Sequence, residues 1–266
     1  MLAQSEFKIA GFQQMRAYFD LHLLTALESQ ITLLYAMQAN KIGAYRDLWR
    51  LTDIMEAMEA TDKEVLYQVQ RFLTASLPVR AFFQPELMTL CASLLGVSPH
   101  FMMLEGPALF VSRPNTSRLL YKWHTEAHYY PKRRRFVNLW FPLFGDRTEA
   151  NGAMQILPSS HREHWDFAEY NSGPHSFIQY EVPEQWLAEY CQQTGTETRC
   201  CAAARGDLVL FDRNLIHKSG QNTTNHYAFA IVARAWSPVD DLTLSGNMAA
   251  TPYGGDIGRA DLIAER

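Results

Sequence analysis

Chain breakers are scarce in the first third of this sequence. No proline precedes Pro78, and only Gly11 and Gly43 of the 14 glycines occur before Gly96. Such a contrast implies helices first and strands later. A basic surplus is also missing. The 24 Lys and Arg residues against 28 Asp and Glu give a net charge of -4, so no general positive field draws the protein to nucleic acid. No run of ~18 apolar residues exists, so no membrane-crossing helix is expected. The opening Met1–Lys8 lacks the basic start and apolar run of a signal peptide. The ending Ala264-Glu265-Arg266 is neither a peroxisomal nor a prenylation signal. The four cysteines, Cys91, Cys191, Cys200 and Cys201, form no CxxC and no zinc-ribbon spacing. Reduced thiols and a cytoplasmic protein are expected.

What is present is enough apolar material for a large core: 266 residues, 47% of them hydrophobic. Met15, Phe19, Leu23, Leu27, Ile31 and Leu34 step by three or four, the stripe of one helix. A second helix is expected from an N-cap at Thr61 or Asp62 through Val65, Val69, Phe72 and Leu73. A third spans Glu86 to Leu95 and stops at Gly96. Beyond it, short runs rich in Val, Phe, Ile and Trp read as strands: 108–112, 136–143, 153–157, 177–182, 196–201, 207–211 and 227–236. One helix interrupts them near 183–193. Many short strands at even spacing indicate a sandwich or barrel. The reading is one α+β domain over residues 1–266: a mainly helical part to 95, a β core over 96–240, and a tail from 241.

Nine histidines are present, so a lone one carries little weight. Three regions stand out. Trp123-His124-Thr125-Glu126-Ala127-His128 places a carboxylate two residues from an imidazole, on one side of a strand. Asp207–Phe211 is a buried strand followed by a run containing His217. Asn151–His161 is a turn, a strand and a polar exit. His-x-Glu with a distant histidine supplies two imidazoles and one carboxylate, the facial triad of non-haem iron(II) with open positions for oxygen chemistry. A three-ligand zinc site is chemically open to the same residues. The basic run Lys132–Arg135 reads as a solvated loop or as a contact for an anionic substrate group.

The segment WHTEAHYYPKRRRFVNLWFPLFGDRTEANGAMQILPSSHR resembles the core of the phytanoyl-CoA dioxygenase family, with its W-H-x-D, Trp-bearing strand and "NG…LPGSH". The segment GDLVLFDRNLIHKSGQN is similar to the family's second metal half. Together they cover about half the chain. The resemblance implies a double-stranded β-helix, that is, a jelly-roll, with the N-terminal helices packed on it. It implies an oxygenase using Fe(II), O2 and 2-oxoglutarate, which hydroxylates a small molecule and releases succinate. Its iron ligands fall on His124, Glu126 and His217. Glu126 stands where most members have Asp, and an intact carboxylate argues against the related halogenases. The tryptophan beside 2-oxoglutarate falls on Trp140, and the serine two positions beyond the distal histidine on Ser219. His128, in another spaced pair with Glu126, is the rival ligand to His124; with Tyr129 and Tyr130 it otherwise begins a substrate loop. His161 reads as structural hydrogen bonding.

One position departs from the family. The arginine that grips the far carboxylate of 2-oxoglutarate usually follows the distal histidine by about eleven residues, where this chain has Ala228. Arg234 lies six residues on, ~20 Å along the strand, and reads as too distant. Arg113, just before Pro114 on a neighbouring strand, is the preferred replacement, ahead of Arg133, Arg134, Arg135 and His226.

Overall fold

The computed structural model describes residues 2–44, 50–116, 120–130, 135–170 and 179–240. The tail from 241, and Arg133 and Arg134 of the basic run, lie outside them. In chain order come α1 (Leu2–Ala10), β1 (Phe12–Met15), α2 (Leu21–Lys41), α3 (Leu51–Thr61), α4 (Lys63–Ala75), α5 (Leu77–Ala81) and α6 (Pro85–Leu95). There follow β2 (Met103–Ser112), α7 (Glu126–Tyr129), β3 (Phe136–Leu143), β4 (Gln155–Ile156), β5 (Ala168–Tyr170) and β6 (Gln179–Glu181). The chain closes with α8 (Glu184–Thr194), β7 (Arg199–Cys200), β8 (Leu208–Asp212), β9 (His217–Lys218) and β10 (Ala228–Trp236). One antiparallel sheet has the order β1-β8-β3-β10-β2, a second β7-β4-β9, and β5 pairs with β6.

Alternation along the large sheet decides where everything sits. Leu139, Phe141 and Leu143 of β3, Leu208 and Leu210 of β8, and Phe229, Ile231 and Ala233 of β10 face the helices. They pack on Leu27, Ile31, Met55, Leu87 and Leu95. The intervening Trp140, Val209, Phe211, Ala230 and Val232 face the second sheet, where they meet Met154, Ile156 and Ala203. This is an α+β jelly-roll: two facing β layers, one backed by helices.

Local signals behave as their chemistry dictates. Asp62 caps α4, accepting from the N–H groups of Glu64 and Val65, both at 3.1 Å. Gly96 ends α6 at φ 68°. The expected Met15–Leu34 stripe is corrected. Met15 belongs to β1, opposite Leu208 of β8, and α2 starts only at Leu21, behind the N-cap Asp20. The helix buries Leu24, Leu27, Ile31 and Tyr35, while Leu23 is 60% exposed. A three-to-four spacing thus ran by chance through a strand and a turn.

Asp207 fastens β1 to the sheet. Its carboxylate accepts from Ala17 N–H (2.9 Å), Ala204 N–H (3.0 Å), Gln14 Nε2 (3.0 Å) and Arg16 Nη1 (2.8 Å). Asp207→Ala strands those donors and should cost about 1–3 kcal/mol. Urea titration would show it as a lower midpoint with unchanged slope; an unchanged midpoint would remove the fastening role.

Candidate metal centre

Two distant pieces of chain meet through backbone pairing. His124 N–H donates to His217 O (2.9 Å) and His217 N–H to His124 O (3.0 Å). The bridge sets the two imidazoles side by side, their centroids 4.2 Å apart. Nδ1 of His124 lies 2.6 Å from Lys122 O, and Nδ1 of His217 lies 2.9 Å from Leu215 O. A carbonyl only accepts, so Nδ1 carries the proton in both rings and both Nε2 lone pairs are free for a metal.

Glu126 completes the set from an unexpected element. It is the first residue of the one-turn helix α7 rather than a strand residue. The longer Glu arm carries Oε1 to 3.5 Å from His124 Nε2 and 3.6 Å from His217 Nε2. The three donor atoms all lie within 4.8 Å of one another, and all three residues are buried. Donors at ~2.1 Å from an ion stand ~3–3.4 Å apart, so a small inward movement closes the set on a metal. His128 is not in this group. It packs on Phe167 with centroids 3.8 Å apart, and burial pushes its ring down to about 4.

Arg234 holds the other oxygen of Glu126. Its Nε lies 2.9 Å and its Nη2 2.5 Å from Oε2. Burial alone would raise the Glu126 carboxyl. The Arg234 guanidinium, helped by the two imidazoles, outweighs it and holds the group well below the ordinary carboxylate range. Burial and the neighbouring His124 push His217 below the usual ~6.5, against the pull of Glu126. The metal-free protein should therefore lose stability as pH falls below ~6.5, because the unfolded histidine takes a proton that the folded one refuses. The slope is at most on the order of 1 kcal/mol per pH unit. Thermal melts of wild type and His217→Asn between pH 7.5 and 5.5 test it: the variant should be flatter, and parallel curves would contradict the assignment.

Arg234 is a site residue that reach along the strand from Ala228 does not reveal. The signal was there: Ala228, Ala230, Val232 and Arg234 share one parity on β10, so a charge in that series faces the space between the sheets. Trp140 is buried in that space, opposite Val209 and Val232. Ser219 Oγ accepts from Tyr121 N–H (3.1 Å), and Ser219 N–H donates to Tyr121 O (3.0 Å). Ser219 and Tyr121 stand two and three residues along the chain from His217 and His124. Arg113 is not brought to the triad. The residue continues the helix-facing parity of Leu109 and Val111, and its guanidinium is ion-paired with Glu59 of α3. Arg135 donates to Leu95 O (2.7 Å). His161 Nε2 meets Lys8 O (3.2 Å), a structural contact with the N-terminal helix.

Aromatic rings wall the triad. Tyr121 and Tyr129 stand 5.2 and 5.5 Å from the His124 ring, and Tyr180 stands 5.0 Å from Tyr129. The Arg234 guanidinium lies 4.5 Å over Tyr130. Burial pushes the Tyr121 and Tyr129 hydroxyls above their ordinary range, so both stay protonated.

The sequence profile of phytanoyl-CoA dioxygenase (PhyH) matches residues 36–230. The chain belongs to the phytanoyl-CoA dioxygenase family. Solved structures with the same fold include EvdO2 from Micromonospora carbonacea var. aurantiaca complexed with 2-oxoglutarate (15% identity, 89% of this chain and 90% of that one, TM-score 0.53). EctD from S. alaskensis, with 2-oxoglutarate and 5-hydroxyectoine, is similar over 89% of this chain and 75% of that one (16% identity, TM-score 0.54). The epimerase SnoN, in complex with Fe3+, alpha ketoglutarate and nogalamycin RO, covers 89% and 82% (13% identity, TM-score 0.55). No curated protein sequence matches the chain. Among the described residues, no helix of this family member is long and apolar enough to cross a membrane.

Proposed function

We propose that the protein is an iron(II)- and 2-oxoglutarate-dependent dioxygenase that hydroxylates an aliphatic carbon of a small molecule, acting as one oxygenase domain. The observation that carries this is the convergence of two Nε2 lone pairs and one carboxylate oxygen at a buried point. That donor set fits a ferrous ion and leaves positions open. When bound, iron with 2-oxoglutarate supplies the oxidising power: O2 is consumed, 2-oxoglutarate loses CO2 to become succinate, and one oxygen atom enters a substrate C–H bond.

The chain's own residues do the rest. His124 and His217 are held in one tautomer by the carbonyls of Lys122 and Leu215. Arg234 keeps Glu126 ionised and occupies Oε2, leaving Oε1 toward the histidines. We assign Trp140 and Ser219 to the cosubstrate's surroundings. Tyr121, Tyr129 and Tyr130 exclude water and offer flat faces to a substrate. Because the basic run Lys132–Arg135 follows Tyr129-Tyr130 in the sequence, the substrate class we favour is an anionic small molecule with an apolar or planar part. Four unpaired cysteines suit the cytoplasm.

Oxygen uptake with iron and 2-oxoglutarate, read together with succinate release, tests the reading. Succinate should form only when both are supplied, and a candidate substrate should gain one oxygen atom. An epimerase on the same scaffold shows that fold alone does not set the outcome, so the product mass decides between hydroxylation and another fate of the C–H bond. Absence of any 2-oxoglutarate-dependent succinate would end the proposal.

A further inference from the structure

Arg147 is one of the largest fully buried side chains, 2% exposed, and no acid pairs with it among the described residues. Its backbone is locked by reciprocal bonds with Ala203, N–H to O at 2.8 Å and O to N–H at 2.9 Å. The guanidinium spends only Nη2: one bond to Ser112 Oγ (2.8 Å) and one to Gly152 O (2.6 Å). Nε and Nη1 have no partner. Of five N–H donors, three are therefore unspent in the interior. A buried cation without a counter-charge costs several kcal/mol, and a structural role would have used those donors. Burial also pushes this guanidinium down to about 10, the mark of a charge that still wants an anion.

Position gives the anion its identity. Ser112 is on the large sheet and Gly152 leads into β4 of the other, so the guanidinium bridges the two layers from inside. Ser112 pairs in register with Ala228, so position 228 itself sends no long side chain to this end. Asn222 fixes this end by donating to Ser112 O (3.0 Å) and His226 O (2.8 Å). From His217 in β9 the chain reaches Asn222 in five residues, a path of at most ~18 Å even if fully extended. Histidine and arginine side chains with a short dicarboxylate between them are on that scale. Gly152 lets this turn approach the 220–222 backbone: a Cβ there, at φ 86°, would lie 2.8 Å from Gly220 O.

We propose that Arg147, with the Ser112 hydroxyl beside it, anchors the distal carboxylate of 2-oxoglutarate, in place of a side chain at position 228. The inference rests on the 2-oxoglutarate reading above. Its test is binding: anaerobic calorimetry of the iron(II)-loaded protein with 2-oxoglutarate and with 2-oxovalerate, which keeps the chelating keto acid and lacks the distal carboxylate. Wild type should prefer 2-oxoglutarate by about 10–100-fold. Arg147→Met should lose that preference and leave 2-oxovalerate affinity unchanged. Arg147→Met combined with Ala228→Arg, which returns a guanidinium to the same end, should restore part of it. If wild type binds neither keto acid, the cosubstrate reading fails first. If wild type prefers 2-oxoglutarate and Arg147→Met keeps the preference, or weakens both keto acids alike, Arg147 is structural and the anchor assignment is wrong. Loss of the preference in Arg113→Met instead would move the anchor there.

Discussion

Iron should leave the protein when His124, Glu126 or His217 is replaced by Ala, and succinate formation should fall below detection with it. Each of these residues supplies one of three donors packed within 4.8 Å. Loss of a direct ligand should cost more than the about 10–100-fold that loss of an outer partner costs in metal affinity. His128→Ala serves as the internal control, because its ring lies against Phe167 rather than in the donor set. Metal content by plasma spectrometry after equilibration at fixed free iron reads the effect. Iron retained by His124→Ala but lost by His128→Ala would shift the ligand assignment by one spaced pair.

Arg234→Met should weaken iron binding by about 10–100-fold without removing any ligand. The arginine binds Glu126 Oε2 through two nitrogens and is the main force holding that carboxyl ionised. Without it, a buried carboxylate has only the two imidazoles to face, so it takes up a proton more readily and its arm is freed to swing. Iron affinity in the variant should become more acid-sensitive than in wild type, a change that lost packing would not produce. Arg234→Lys should recover part of the affinity, since a point charge replaces the planar fork. Equal pH profiles for wild type and Arg234→Met would show that the guanidinium is a bystander.

The triad's residues could be named from the sequence because two short segments carry the family resemblance, one around His124-Thr125-Glu126 and one from the buried strand to His217; each segment is local, although their meeting is not. Strand β3 at Phe136–Leu143 was equally legible, since a run buried on both faces needs no partner to be recognised. What escaped depends on contacts far along the chain. Arg234 meets Glu126 across 108 residues of sequence. Arg147 pairs with Ala203 just ahead of the turn at Asn151-Gly152, in a run that reads from sequence as a solvated turn, and only its pairing across the fold buries it. Arg113 looked suitable by its place near the strand end. Parity turned it to the helices, where Glu59 already waited.

The family's profile covers residues 36–230, yet two working parts lie outside those limits. Strand β1, at Phe12–Met15, covers the edge of β8, and Arg234 is carried by the last residues of β10. A fragment cut at those limits would keep all three candidate ligands. It would also bare the backbone N–H and C=O groups of β8 as an open edge, a template for intermolecular pairing. The same cut would remove the guanidinium that keeps Glu126 charged. Such a fragment should aggregate, and any soluble portion should bind iron poorly at neutral pH. Expression work on this chain therefore has to start ahead of Phe12 and run past Trp236.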